Sequence, residues 1–250
     1  METTPPTEAR KEEGIPLWLG AVLLLASSAA IVSLGFIIGS RVLLPFLSAA
    51  PFYPVLVMRL RAGRRGQAVA LALVWALALG ATSTTLCAMA PGRAKEVVWR
   101  ADSYWSEMEP WVRTGEGKET TPARFLPELG IQLGIFAGLS LLTGSLLSIV
   151  MGAALMNYMS FYAGSLVERA SSPLLMALAA WHPWSVLRVI AFVILGVVLA
   201  EPLLSLLRRK RPAWRPMVPW LVAAAIGIAL DILLKTFLAP HWPAILRSLM

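Results

Sequence analysis

Cysteine and histidine are scarce in this chain of 250 residues, which holds one cysteine, Cys87, and two histidines. A single cysteine excludes an internal disulfide. Two histidines beside one thiol leave too few of the usual ligands for a zinc or iron site. The sequence therefore predicts no bound metal and no cofactor.

Charge is also sparse, since 14% of the residues are charged while 58% are apolar and the mean hydropathy is +0.70. Soluble domains carry about 25% charged residues. These values exclude a sizeable water-soluble domain and indicate a protein that is solvated mostly by lipid.

Catalytic motifs are absent as well. The chain has no GxSxG, no HExxH and no GxxxxGK[ST], and Asp231 has no second acid within its apolar run. Serine esterases, zinc proteases, P-loop enzymes and paired-aspartate proteases each need one of these patterns. The sequence favours a role other than catalysis without excluding an enzyme.

Long uncharged runs fill most of the chain. Because a membrane-spanning helix needs about 20 mostly apolar residues, the runs predict an all-α, polytopic transmembrane helical bundle. The seven expected spans are 15–39, 42–58, 67–90, 125–149, 151–167, 184–207 and 216–238. Prolines 45, 51 and 54 interrupt the second run, so a re-entrant segment at 42–58, with six spans in all, stays open. The uncharged stretch 129–167 is expected to turn between Val150 and Asn157.

Two basic clusters set the expected topology, because nine of the 22 basic residues lie at 59–65 and 208–215. Such clusters are typical of cytoplasmic loops, and four predicted crossings between them place both on one side. We therefore expect a multi-pass protein of an inner or plasma membrane with both basic loops cytoplasmic. The formal charge of +8 is then explained by topology, and no nucleic acid is expected as a partner. The expected partner is the lipid bilayer, and binding to other membrane subunits remains open.

The predicted organisation has four parts: a polar cytoplasmic leader at 1–14, transmembrane helices at 15–91, an extracytoplasmic loop at 92–124, and transmembrane helices at 125–250. In the loop, Trp99, Tyr104, Trp105, Met108 and Trp111 recur at spacings near three and four. This spacing predicts an amphipathic helix that lies along the lipid headgroups.

Three ionisable residues within the last two spans form the main candidate site: Arg188, Asp231 and Lys235. Each charge inside a span costs about 2.5–3.5 kcal/mol on insertion scales, which marks such residues as functional candidates. In an antiparallel hairpin, Arg188 is level with Lys235 and Asp231 lies one turn deeper, so both cations are expected to share the Asp231 carboxylate. Three interpretations of these residues remain open: a structural lock between the two helices, a substrate or ion site, or side chains that snorkel to the membrane interface.

Secondary candidates lie near the ends of the spans or in the central hairpin: Glu128, Asn157, Tyr158, His182, Glu201 and His241. The two histidines fit either a proton relay or half a metal site, or else ordinary interface residues among tryptophans. Asn157 and Tyr158 fit either a pocket at a helix break or hydrogen bonds between helices. Glu201 is expected to pair with the nearby basic cluster.

Small residues at four-residue spacing predict close helix packing. One row contains Gly130, Gly134 and Gly138, and a second contains Gly144 and Gly152 together with serines.

These patterns favour a permease-like or transport-associated membrane component. A non-catalytic membrane assembly partner is the alternative, and a membrane-embedded enzyme acting on lipid or peptide is the second alternative. The distinguishing feature is whether Arg188, Asp231 and Lys235 line a cavity or pack dry between helices.

Overall fold

The computed structural model describes residues 16–250, and every regular element among them is helical. The predicted leader at 1–14 lies outside the described residues. The α-helices are α1 (Leu17–Ile38), α2 (Leu43–Ala49), α3 (Phe52–Arg61), α4 (Arg65–Met89), α5 (Pro91–Val97), α6 (Ala101–Thr114), α7 (Pro122–Thr143), α8 (Leu146–Val167), α9 (Pro173–Ala180), α10 (Pro183–Leu207), α11 (Val218–Leu238) and α12 (Trp242–Ser248). Short 3₁₀ turns lie at Lys118–Thr120 and Arg215–Met217.

Seven helical segments are long and apolar enough to cross a membrane: α1, α2 with α3, α4, α7, α8, α10 and α11. The predicted all-α transmembrane bundle is confirmed, and the chain is a multi-pass membrane protein. In the segment Leu43–Arg61, Pro51 removes one backbone donor, yet it keeps a helical backbone with φ −64° and ψ −34°. The segment is therefore a kinked helical span, which favours seven spans over six.

The turn between α7 and α8 lies at Gly144 and Ser145 and not between Val150 and Asn157, so that prediction was wrong. Both turn residues have left-handed backbones, with φ +57° and +68°. Glycine adopts this conformation without steric cost and commonly ends helices. Because α7 already begins at Pro122, its 22 residues are complete at Thr143.

The connections divide the bundle into two ends. The basic end holds the loops 62–64 and 208–214 and the turn at Gly144. The capped end holds α5, α6, α9 and α12, which lie between or after the spans.

Helix α6 is the predicted amphipathic helix, but its apolar side covers the protein. It packs against α8 and α12, and the fully buried Trp111 donates from Nε1 to the carbonyl of Ala239 at 3.0 Å. Trp99 lies outside α6 and is exposed. Most of this aromatic surface therefore packs within the capped end.

Close packing uses a different glycine from those predicted. A Cβ at Gly164 would lie 2.6 Å from Cβ of Cys87, so α4 and α8 cross at this point. A Cβ at Gly130, Gly134 or Gly138 would meet no atom within 4 Å. That row is not packed against any described part of the chain, because α7 turns its other side inward, with Phe125, Leu129, Phe136 and Ser140 buried.

Candidate functional site

A cavity of about 160 Å³ lies among α7, α8 and α10, with residues of α3 and α4 at its inner wall. Its charged end is lined by Tyr104, Glu119, Glu128, Gln132, Tyr158, Ser185, Arg188 and Lys235. Its apolar end is lined by Phe52, Leu56, Trp75, Phe136, Ile149, Met156, Val193 and Val197. The cavity is therefore amphiphilic along its length.

The cavity is about as long as one leaflet of a bilayer is thick. Arg188 and Val197 both line it from α10, and nine residues of helix span about 13 Å. Phe125 and Phe136 line it from α7, which corresponds to about 16 Å. Half of a hydrocarbon core of about 30 Å is about 15 Å, so the cavity runs from near the capped end toward the middle of the bundle.

Arg188 and Asp231 form a bidentate ion pair between α10 and α11. Arg188 donates from Nε to Oδ2 at 2.8 Å and from Nη2 to Oδ1 at 3.1 Å. The Asp231 side chain is 0% exposed, whereas that of Arg188 is 27% exposed and lines the cavity. A guanidinium has five N–H donors, and Asp231 occupies two of those of Arg188.

Lys235 pairs with Glu119, which differs from the expectation that it would share Asp231. Its Nζ lies 2.9 Å from Oε2 of Glu119 and 4.4 Å from the ring centroid of Phe125. The 3₁₀ turn at Lys118–Thr120 brings the Glu119 carboxylate to Lys235, near the end of α11. Sequence reasoning missed Glu119, because nothing in its spacing separates it from the other acids of a neutral loop.

Gln132 and Glu128 lie on the α7 side of the charged end. Nε2 of Gln132 donates to Oε1 of Glu128 at 3.5 Å, and both side chains line the cavity. Gln132 was also missed, although a signal was present: Gln132 and Asn157 are the only amide side chains in the uncharged stretch 129–167.

Aromatic side chains complete the charged end. The rings of Tyr104 and Tyr158 lie 4.5 Å apart, and Tyr104 Oη donates to Sδ of Met159 at 3.4 Å. Burial raises the pKa of Tyr104, and the charge of Glu119 raises it further. The Tyr104 hydroxyl therefore stays neutral and remains a hydrogen-bond donor beside the ion pairs.

Asn157 lies on the side of α8 that faces α4 and is not among the cavity residues. Its Oδ1 accepts a hydrogen bond from Oγ of Ser83 at 3.1 Å, while its buried Nδ2 has no partner among residues 16–250. Asn157 thus makes a hydrogen bond between α4 and α8, whereas Tyr158 lines the cavity from an unbroken helix and not from a helix break.

Phe136 closes the apolar end between two glycines. A Cβ at Gly152 would lie 3.8 Å from its ring, and a Cβ at Gly196 would lie 3.2 Å from it. Phe192 packs edge-to-face against the same ring, with centroids 4.8 Å apart. The missing side chain at Gly152 therefore leaves room for the Phe136 ring in the cavity wall, whereas Gly144 forms the turn between α7 and α8.

The histidines are separate from the cavity. His182 is buried, stacks on Trp184 at 4.6 Å and has Nε2 3.2 Å from Oη of Tyr162. Burial lowers the pKa of His182 to about 3, and the charges of Lys235 and Arg188 act in the same direction. His241 is exposed. Over residues 16–250 no group of three His, Cys, Asp or Glu side chains is arranged to hold a metal ion.

Glu201 lies at the basic end, where it pairs with Arg65 of α4. Arg65 donates to both carboxylate oxygens, with 2.6 Å between Nη2 and Oε2, and also donates to the carbonyl of Pro216. One arginine thereby joins α4 and α10 to the start of the last span.

Compared with models of protein families, with curated proteins and with solved structures, the chain matches none.

Proposed function

We propose that the chain is a permease-like membrane component whose substrate occupies the cavity between α7, α8 and α10. One observation carries the proposal: Arg188 and Lys235, which are costly to place within a span, line a cavity instead of a dry contact between helices. A concave, mostly apolar site with a few polar groups at one end is the usual form of a small-molecule site.

The two ends of the bundle support a directional role. The charged end of the cavity lies toward the capped end, while Arg65 and Glu201 join helices at the basic end. Positive loops favour the cytoplasmic side, so we place the basic end in the cytoplasm and residues 92–124 outside, in an inner or plasma membrane. In this arrangement the Arg65–Glu201 pair is the closure on the cytoplasmic side, and we expect it to separate when the cavity opens there.

A membrane assembly partner is the second candidate function. The unpacked glycine row at 130, 134 and 138 of α7 supports it, because small residues let a helix of another subunit approach closely. The same row is also consistent with plain lipid contact, so the cavity carries the first proposal.

Water access to the cavity tests the permease proposal. In a Cys87→Ala background reconstituted in liposomes, we expect Gln132→Cys to react with a charged, membrane-impermeant thiol reagent, because its side chain lines the cavity. Ile131→Cys is the matched control: it lies at the same depth on α7, and Ile131 is 64% exposed on the outside of the bundle. It should not react there, because a thiol in hydrocarbon does not ionise. Equal lack of reaction at both positions would contradict the proposal.

A further inference from the structure

The volume of the cavity limits the size of its ligand. The charged end and the apolar end together enclose about 160 Å³. Because a cavity of about 150 Å³ accommodates a molecule the size of benzene, this volume suits a ligand of about six to ten non-hydrogen atoms. A lipid with a long acyl chain is too large for it.

The ionised side chains that line the cavity are already engaged by other groups of the protein. Arg188 forms the bidentate pair with Asp231, and Nζ of Lys235 lies 2.9 Å from the Glu119 carboxylate. The Glu128 carboxylate is engaged as well. The described residues therefore leave no uncommitted charge in the cavity for a ligand.

A ligand with a net charge would be bound at a cost. An anion would approach the carboxylates of Glu119 and Glu128, and a cation would approach Arg188 and Lys235, because all four line the same end. An ionised group is costly to move out of water unless an opposite charge receives it. The protein would have to break one of its own ion pairs to supply that charge. These contacts favour an uncharged ligand.

Uncharged polar groups at the same end are free to receive such a ligand. Tyr158 of α8 and Ser185 of α10 line the cavity, and neither hydroxyl has a hydrogen-bond partner among residues 16–250. Gln132 of α7 donates to Glu128 through Nε2, while its carbonyl oxygen has no partner among the same residues. Hydroxyls both donate and accept, and the amide oxygen accepts. The three side chains therefore complement a ligand end that also donates and accepts, such as an alcohol or a primary amide.

The other end of the cavity offers only apolar contacts. Phe136, Ile149 and Met156 form part of its wall. Ser148 also lines the cavity, but its hydroxyl is engaged by Oγ of Ser140 at 2.8 Å. A hydrocarbon tail gains free energy by leaving water here, whereas a second polar group would lose its hydrogen bonds. The ligand should therefore have one polar end and one apolar end.

We propose that the cavity binds a small, uncharged amphiphile of about six to ten non-hydrogen atoms, with a hydroxyl or amide near Tyr158 and Ser185 and an apolar tail toward Phe136. This inference rests on the proposed function, because it names the substrate class for the same cavity. The cavity volume, the engaged charges and the unpartnered hydroxyls each support it separately.

Two pairs of probes that share a shape but differ in charge test the proposal. Hexanamide is compared with hexanoate, and hexanol with hexylammonium, by isothermal titration calorimetry of the purified protein in detergent micelles at about pH 7. We expect each neutral probe to bind at least about tenfold more tightly than its charged counterpart, because the charged end has no free counter-charge. A charged probe that binds as tightly as its neutral counterpart, or a lack of binding by both neutral probes, would overturn the proposal.

Two leucine variants separate binding in the cavity from uptake of the probe by the micelle. Gly152→Leu fills the cavity beside Phe136, and it should weaken hexanamide binding about tenfold or more. Gly134→Leu adds the same side chain to α7, where a Cβ would meet no atom within 4 Å, and it should bind hexanamide like the wild type. Equal affinities of the two variants would place the probe in the micelle and overturn the proposal.

A variant without added bulk tests the polar end. Tyr158→Phe removes one hydroxyl and keeps the ring that packs against Tyr104, so it should weaken hexanamide and hexanol binding about threefold to tenfold, as expected for one hydrogen bond. Tyr53→Phe is the matched control, because Tyr53 is not among the described residues that line the cavity. Equal affinities of Tyr158→Phe and Tyr53→Phe would overturn the placement of the polar end near Tyr158.

The outcomes also separate this inference from the permease proposal. A charged thiol reagent needs only brief entry through water to modify Gln132→Cys, so its reaction reports access and not affinity. If Gln132→Cys reacts but the neutral probes are not preferred, the ligand class is wrong while the water-accessible cavity stands. If Gln132→Cys does not react and the neutral probes still bind selectively, the ligand class stands and the permease role is wrong.

Discussion

The two ends of the bundle handle charge in different ways. In the described part of the basic end, the nine basic residues of 59–65 and 208–215 accompany a single acid, Glu201, and the connections are short. At the capped end, acids and bases are nearly balanced. Ion pairs join Arg93 to Glu96, Arg188 to Asp231, and Lys235 to Glu119. The basic end thus leaves most of its charge to water and headgroups, whereas the capped end neutralises its charge within the protein.

This difference explains where a cavity is able to form. Charges that are paired within the protein remain at depth without a large insertion penalty, so the capped end supports a polar chamber that reaches into the span region. At the basic end, Arg65 and Glu201 pair across α4 and α10 and hold the helices together. In the proposed function, one end therefore contains the substrate site and the other contains the closure.

The largest expected effect comes from breaking the buried pair at the capped end. Removing one partner of a buried ion pair costs about 3–5 kcal/mol. Asp231 is 0% exposed while Arg188 is 27% exposed, so Arg188→Gln should destabilise the protein more than Asp231→Asn. The double variant should recover part of the loss, because it leaves no unpaired charge.

Thermal unfolding in detergent measures the loss of stability in each variant. Arg65→Gln and Glu201→Gln are the matched comparison at the basic end. Those side chains are 16% and 20% exposed, whereas Asp231 is 0% exposed, so neither single substitution at the basic end should cost as much as Arg188→Gln. Strictly additive effects of Arg188→Gln and Asp231→Asn would show that the two side chains do not interact as described.

A smaller effect is expected when the closure at the basic end is weakened. Glu201→Gln removes the charge that holds Arg65, so α4 and α10 should separate more often. Ile149→Cys, at the apolar end of the cavity, should then react faster with a charged thiol reagent added from the basic side. Arg208→Gln is the control, because Arg208 donates to the carbonyl of Arg61 without contacting Glu201. The same acceleration in both variants would indicate general loosening and not a specific closure.

The number of spans, the charged residues within them and the pairing of Arg188 with Asp231 could be predicted from the sequence, but the partner of Lys235 could not. Runs of about 20 apolar residues have few structural alternatives, and Arg188, Asp231 and Lys235 are conspicuous because charge within a span is costly. Glu119 lies in a polar loop, where a carboxylate carries no insertion penalty. The sequence therefore contains no signal for its contact with Lys235. The spacing of the α7 glycine row shows that its residues share a face of the helix, but not which face the bundle packs against.

A pH-dependent effect should come from His182 at the capped end. Its pKa in the folded protein is lowered to about 3, whereas an unfolded histidine has a pKa of about 6.5. Below about pH 6.5 the unfolded chain therefore binds a proton that the folded protein does not, so stability is complete above that pH and is lost as the pH falls toward 3. The expected slope is up to about 1.4 kcal/mol per pH unit.

Unfolding midpoints between pH 7 and pH 4 test this prediction, with His182→Gln as the variant and His241→Gln as the control. His241 is exposed, so its variant should keep the slope of the wild type. Since the acidic side chains titrate alike in all three proteins, the difference in slope reports His182. An unchanged slope in His182→Gln would show that this histidine is not held neutral.

The smallest effect on the fold, and the most direct test of the two-ended comparison, comes from cysteines at exposed loop positions. Arg64 and Ala213 lie in the loops of the basic end, and Glu116 lies beyond α6 at the capped end; all three are exposed. They are preferable to the adjacent Gly63 and Gly115, whose φ values of +69° and +81° would strain a cysteine. In a Cys87→Ala background, Arg64→Cys and Ala213→Cys should react with an impermeant reagent only from the cytoplasmic side, and Glu116→Cys only from the outside. Reaction of all three from one side would break the arrangement of spans. Reaction of Glu116→Cys from the cytoplasm and of the other two from outside would keep the two ends distinct but reverse the proposed orientation, so that the charged end of the cavity would lie toward the cytoplasm.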